Sequence, residues 1–348
     1  MGIRKWIKKN KNIYNIMLHT YLFICKVRVI PEYLRADSIK MVKSKKESND
    51  CYLILEYSGK SGLMTQMIIV VGWLKYAVEN NYILVVDMCS GENMYQQDDE
   101  NAWEKFFIQP MCDFSVTKQE LERIKSEENY AICPKKLKHN YQFESLFSLA
   151  CRLKNPAITF PMPRDFLIRS NLHCVFQNVF KRYIRFQPEV ASYMQTEYEK
   201  ILQNKGRVLG VLARGTDYVQ SKPYNHPVQP SVDEIIDKCE EIIDKWDYIY
   251  LATEEYAIEK KFREKFGDLI LVNQRQYYDG DYQNKWLCDT RFDRENDEFF
   301  RGLEYVSSIN ILSKCNHLVA GLCGGTQAAL IMNDNQYDYV YLFDLGNY

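Results

Sequence analysis

The stretch Arg207-Val208-Leu209-Gly210-Val211-Leu212-Ala213-Arg214-Gly215-Thr216-Asp217-Tyr218 decides how this chain is read. An unbroken apolar run bounded by charge predicts a short strand buried on both faces, as in a parallel sheet. The run stops abruptly at Arg214. That puts a permanent cation and then a glycine just beyond a strand's carboxyl end, the edge at which open α/β sheets hold their ligands. A guanidinium presents a fixed fork of donors that matches phosphate oxygens. Arg214, Gly215 and Thr216 therefore read as a diphosphate site with Asp217 beside it, against the plainer reading of a surface turn with an Arg–Asp pair.

Outward from this stretch the pattern alternates. Strands are expected over 248–252, 269–272, 317–320 and 339–343, and helices over 232–245, 255–265, 299–314 and 327–332. Alternation of this kind specifies a parallel, Rossmann-like sheet. Upstream, 51–57 and 83–87 read as buried strands flanking a helix over 63–80, with glycines in the first loop. Residues 101–107 read as a short helix. Two further helices, 165–183 and 188–203, connect the halves, the second with Pro188 at its start, where proline is tolerated. The expected organisation is a basic N-terminal helix and linker over 1–50, an N-terminal α/β domain over 51–187 and a nucleotide-binding domain over 188–348. Two Rossmann-like domains with a cleft between them make the GT-B architecture.

In a parallel sheet two more strand ends fall on the edge that carries Arg214. Thr253 and Glu254 end the second strand. Thr253 suits a helix cap, and a glutamate there suits ribose hydroxyls or a base edge. The third is Gly321-Leu322-Cys323-Gly324-Gly325-Thr326-Gln327, a glycine-rich loop opening a helix, whose free amides suit phosphate. Glu304 lies on the preceding helix, either solvated or facing ligand. His226 sits in a proline-bearing loop, either pinning it or moving a proton. Ser231 and Glu234 form a capping box. On the N-terminal side Gly59, Gly62 and Gln66 occupy the first strand–helix turn. Trp103 and Glu104 either bind an acceptor sugar or belong to the core. Asp279-Gly280-Asp281 mimics a metal-binding Asp-x-Asp but follows no strand, so no metal is expected.

Composition narrows the classes. The 348 residues carry a formal net charge of −1, which gives no electrostatic footprint for nucleic acid. The 11 cysteines are scattered, with no Cys-x-x-Cys and no zinc spacing, as expected of thiols in a reducing cytoplasm. Arg4, Lys5, Lys8, Lys9 and Lys11 precede a largely apolar stretch, 13–27, interrupted by Asn15, His19 and Lys26. That segment is short for a membrane span, and reads either as an amphipathic helix on the anionic inner-membrane face or as a helix packed on the domain.

Leu212-Ala213-Arg214-Gly215-Thr216-Asp217 resembles the His-x-Arg-x-x-Asp motif of the α1,2-, α1,6- and protein O-fucosyltransferase superfamily. His226-Pro227 is similar to the His-Pro that follows it in the α1,6 branch, and Ala252-Thr253-Glu254 to that branch's Ala-Thr-Asp. The stretch from Gly302-Leu303-Glu304 to Gly325-Thr326 resembles its third motif. Gly62-Leu63-Met64-Thr65-Gln66-Met67 resembles the Gly-x-Gly-Asn-Gln-Met opening of the α1,2 branch, and 101–107 is similar to bacterial relatives encoded with surface-polysaccharide genes. The departures are Leu212 for the histidine, Glu254 for the aspartate, glycines for the third-motif serines, and Met64 and Thr65 in the opening motif. The resemblance implies an inverting, metal-independent transfer from GDP-fucose to a glycan acceptor, with no cofactor beyond the donor. It makes Arg214, Asp217, His226 and Glu254 catalytic candidates. Arg214, Gly215, Thr216, Thr253, Glu254, Glu304, Gly324, Gly325, Thr326 and Gln327 become donor-side candidates, and Gly59, Gly62, Gln66, Trp103 and Glu104 acceptor-side ones. A transferase for another nucleotide sugar and a non-catalytic nucleotide-binding module are the alternatives.

Overall fold

The computed structural model describes residues 50–57, 59, 61–97, 99–133, 171–215, 222, 227–278, 289–346 and 348. The basic segment at 1–27 and most of the linker lie outside the described residues. So do Thr216, Asp217, His226 and the Asp279–Asp281 stretch.

Two parallel sheets organise the chain. The first takes β1 (Tyr52–Glu56), β2 (Ile83–Asp87) and β3 (Tyr130–Ile132) in the order β2-β1-β3. Its helices are α1 (Leu63–Glu79) and α2 (Lys118–Glu127). Helices α3 (Asn171–Tyr183) and α4 (Pro188–Leu202) follow, and proline does stand in the first turn of α4. The second sheet takes β4 (Val208–Leu212), β5 (Tyr248–Ala252), β6 (Ile270–Leu271), β7 (His317–Gly321) and β8 (Tyr339–Phe343) in the order β6-β5-β4-β7-β8. Between its strands run α5 (Val232–Glu241), α6 (Tyr256–Phe266), α7 (Asp297–Leu312) and α8 (Gly324–Asn333). All five residues of β4 are buried, as its uninterrupted apolar sequence requires of a central strand. The Ser231–Glu234 capping box forms as read.

The largest hydrophobic core does not respect the division into sheets. It runs from Leu53 and Leu55 on β1 through α1 and α7 to Leu342 on β8. Helix α1 is buried along nearly its whole length and packs on α8 and α3, while α7 packs on α4. The contact between α1 and α8 is made at their first turns. A Cβ on Gly324 would collide with the Thr65 hydroxyl, so any other residue there would force that hydroxyl to turn away. Since α1 starts beyond the carboxyl end of β1 and α8 beyond that of β7, the ligand-binding edges of both sheets face one shared space.

Three expectations are corrected. Residues 101–107 form successive turns, not a helix, because the Asn101 side chain binds Met88 N, Trp103 N, Val86 O and Val116 O and so fixes the segment to the sheet. The last helix begins at Gly324 instead of Gln327, so Gly324, Gly325 and Thr326 are its first turn. Strand β3 and helix α2 arise where no element was expected.

Candidate functional site

At the carboxyl edge of the second sheet, a pocket forms where the ends of β4 and β5 meet α7 and the start of α8. Arg214 and Gly215 from β4, Thr253 and Glu254 from β5, Arg275, Tyr305 from α7 and Cys323 line it. The parallel register explains the convergence: Leu212 on β4 pairs with Ala252 on β5 and with Ala320 on β7, so their chain exits stand side by side.

The electrostatic centre is Glu254. Its carboxylate lies 3.7 Å from Arg214 Nη1, and Arg275 Nη2 donates to it at 3.4 Å. Burial pushes this carboxyl up, but Arg214, Arg275 and then Arg301 pull it down, and the net shift is downward. Glu254 is thus held ionised by a surplus of cations. Arg275, whose side chain is 5% exposed, keeps a buried Nε with no hydrogen-bond partner among the described residues. Unused guanidinium donors in a buried pocket are what an anionic ligand would satisfy. The Glu255 carboxylate lies against Gly215, where any side chain would collide with it.

Arg275 was not foreseen, because β6 is only two residues long and leaves no apolar run that points to it. Its position is fixed from both sides. Glu197 on α4 accepts the Gln274 amide at 2.9 Å, Glu304 on α7 accepts the Gln276 amide at 3.3 Å, and the Glu254 carbonyl accepts the Tyr278 amide at 2.8 Å. Both glutamates are buried. Tyr305 and Arg301 were likewise missed. They lie four residues apart on one face of a helix that is buried nearly all round, so their sequence reads as core.

Several expected ligand residues prove to be structural. Glu304 is not on a solvated face: it is 7% exposed and its carboxylate is taken by Arg294, at 3.2 Å through Nη2, and by Gln276. The Thr326 hydroxyl is fully buried and donates to the Gly321 carbonyl at 2.6 Å, so only its backbone faces the α8 N-terminus. Gln327 is buried one turn further in, with neither amide atom hydrogen-bonded among the described residues. Thr253 does not cap α6, whose N-cap is Glu255; its hydroxyl accepts the Glu255 amide at 3.3 Å in the turn before that helix, and it lines the pocket. Cys323 is the N-cap of α8; its thiol makes no capping bond to the helix backbone but meets the Thr326 hydroxyl at 3.4 Å.

On the other side, Trp103 is 0% exposed, stacked 4.2 Å from Phe107, and its indole donates to Ile108 O at 3.2 Å. It is a core residue and cannot stack on a sugar. Glu104 accepts from Gln109 Nε2 at 2.8 Å and Val116 N at 2.7 Å, which ties two loops together. Gln66 is also 0% exposed and exchanges amide hydrogen bonds with Asn93. Gly59 pairs with the 92–93 segment. Of this group Gly62 comes nearest the pocket, against the Tyr305 ring. Among the described residues no three His, Cys, Asp or Glu side chains converge as a metal site requires, and no helix is long and apolar enough to cross a membrane.

No known family description matches the sequence, and no curated protein is similar to it. Solved structures do match. The fold is similar to that of fucosyltransferase NodZ from Bradyrhizobium, at 13% identity and a TM-score of 0.52 over 86% of this chain and 97% of that one. It is also similar to a mutant of Arabidopsis thaliana FUT1 in complex with GDP, at 14% identity and a TM-score of 0.50 over 93% of this chain and 77% of that one. The chain therefore has the expected GT-B-like α/β fold.

Proposed function

We propose that this chain is an inverting glycosyltransferase that moves fucose from GDP-fucose to a hydroxyl group of a glycan acceptor, without a metal ion. The observation that carries this reading is the convergence of Arg214 and Arg275 in one pocket beside the first turn of α8, with Arg275 offering an unused buried donor. The fold shared with a fucosyltransferase and with a GDP-bound structure supports the donor class, and the motifs around Arg214 and Thr253 support fucose. The likeness of residues 101–107 to bacterial relatives encoded with surface-polysaccharide genes, with free thiols, supports work on a surface polysaccharide at the cytoplasmic face of a bacterial membrane.

In such a transfer the acceptor oxygen attacks the anomeric carbon from the face opposite the diphosphate. The bond to the diphosphate breaks as the new bond forms, the anomeric centre becomes cationic, and GDP leaves with added negative charge. Fixed donors aimed at that charge lower the barrier, each by about 3 kcal/mol. In this reading Arg214, Arg275 and the amides that open α8 supply those donors. Gly215 and Thr253 shape the donor side, and Glu254 accepts from donor hydroxyl or base N–H groups. Held ionised by arginines, Glu254 is a weak base. The acceptor's proton therefore goes to Asp217, His226 or water.

The test is calorimetric titration with GDP-fucose in EDTA, alongside GDP-mannose and a UDP-sugar. Selective binding of GDP-fucose is expected, and absence of binding by any GDP ligand refutes the assignment. Leu212, where the family motif has histidine, favours one second reading, a nucleotide-binding module without turnover. Release of GDP from GDP-fucose separates the two.

A further inference from the structure

Tyr305 stands at the meeting point of the two halves. It is 9% exposed and lines the pocket together with Arg214 and Glu254. A Cβ built on Gly62, the N-cap of α1, would lie 3.5 Å from its ring, and one built on Gly325, in the first turn of α8, would lie 3.0 Å from its hydroxyl oxygen. The starts of two helices, one from each half, thus flank this one phenol. Among the described residues its hydroxyl has no hydrogen-bond partner. Its oxygen is not sealed in the core but opens onto the pocket, where a ligand can reach it. Of the neighbouring tyrosines, Tyr250 donates to Asn273 Oδ1 at 2.9 Å, and the Tyr95 oxygen accepts the Leu63 amide at 2.9 Å. A buried phenol with its O–H unspent, beside an uncapped helix start and within the field of Arg214, fits an acceptor brought in by the ligand.

We propose that the Tyr305 hydroxyl donates a hydrogen bond to the departing diphosphate of the sugar donor, and so is a catalytic residue of the transfer. This rests on the nucleotide-sugar reading above. As the anomeric C–O bond breaks, its electron pair passes to the diphosphate oxygen. Tyr305 donates to the diphosphate as that charge grows and retains its own proton throughout. Burial pushes its pKa well above the ordinary tyrosine value, which keeps the O–H in place as a donor at neutral pH. This role is not legible in sequence, since a tyrosine on a buried helix reads as packing.

The experiment is Tyr305→Phe, which removes one oxygen and no packing. GDP release from GDP-fucose, with water as the acceptor, gives kcat and KM, and calorimetry gives the Kd for GDP. The expected result is a kcat lowered about 10²-fold, because a donor to developing charge is lost. The Kd for GDP, which carries that charge in full, should rise about 10- to 150-fold, the worth of a hydrogen bond to a charged group, with the Tm of the wild type. If wild-type protein turns over GDP-fucose and Tyr305→Phe does so within about threefold of it, the role assigned to the hydroxyl is wrong while the transferase reading stands. A variant that loses its fold shows a structural hydroxyl and also overturns the proposal. Failure of the wild-type protein to bind GDP-fucose or GDP removes the nucleotide-sugar reading itself.

Discussion

Replacing Arg275 with methionine separates the charge of this residue from its packing. The guanidinium lies 3.4 Å from Glu254 Oε1 and is 5% exposed. At an effective dielectric near 20 that separation corresponds to roughly 5 kcal/mol of attraction, most of it offset by the desolvation of both groups. Breaking a buried pair is severe when it strands a charge, at about 3–5 kcal/mol. Here Glu254 keeps Arg214 at 3.7 Å and the field of Arg301, so no charge is stranded. Methionine fills the space of the stem, and the unbonded Nε disappears with the head group. The expected loss of stability is therefore only about 1 kcal/mol, close to the net worth of an ordinary hydrogen bond. Ligand binding should respond far more. A charged hydrogen bond to phosphate contributes about 2–3 kcal/mol, so the Kd for GDP should rise about 30- to 150-fold. Calorimetry with GDP and urea unfolding of the same preparation measure both quantities. Arg207→Met serves as the control, because Arg207 pairs with Asp247 on the surface, 53% exposed, away from the pocket. A GDP affinity within threefold of wild type in Arg275→Met would refute the placement of the diphosphate.

Other consequences are open to measurement. Glu197→Ala frees the Gln274 amide that orients Arg275 and should weaken GDP binding about tenfold. If Glu197 acts through Arg275, adding it to Arg275→Met should cost nothing more in a double-mutant cycle. Gln327→Met removes a buried amide with no partner among the described residues, so urea unfolding should show a gain of about 1 kcal/mol, and a loss would mean the amide is satisfied. Burial, aided by Asp87, pushes the Cys89 thiol up to about 12, and burial does the same to Cys239. Unfolded thiols ionise first, near pH 8.5, so this stability is complete below that pH and falls as pH rises toward 12. The slope should approach about 1.4 kcal/mol per pH unit for each thiol, and unfolding free energies in reductant that stay flat from pH 8 to 10 would contradict it.

What the sequence revealed follows a physical division. Strands β1, β2, β4 and β5 are apolar runs ending in polar residues, and β7 runs into a glycine-rich turn, so both their identity and their ligand-facing ends were legible, and Arg214 with them. Strand β3 is three residues long, and α2 buries little beyond Leu121 and Ile124, so neither carries a period strong enough to read. Arg275 follows a strand of two residues, and its placement depends on Glu197, Glu304 and the Glu254 carbonyl, all distant in sequence. The polar residues Gln66, Glu304 and Thr326 look like ligand contacts in sequence because polar side chains near glycines do, and Glu104 does because it adjoins a tryptophan. Only three-dimensional neighbours show that their hydrogen bonds are already used within the protein. Trp103 has the opposite ambiguity, since an aromatic ring serves a core and a sugar platform equally well until its exposure is known.

The hydrophobic core shared by the two sheets bears on how such a protein is re-engineered. Where sheets meet only across solvent, one half can be exchanged for that of a relative to change the donor or the acceptor. Here Leu53 and Leu342 belong to a single apolar cluster, and Gly324 fits against Thr65 with no room for another atom. A chimaera joined in the connecting helices would bring together surfaces that were never fitted to each other, exposing apolar area or forcing overlap at α1 and α8. Altered specificity in this scaffold is better sought by replacing side chains within the pocket, or by transplanting α1 together with the half it packs against.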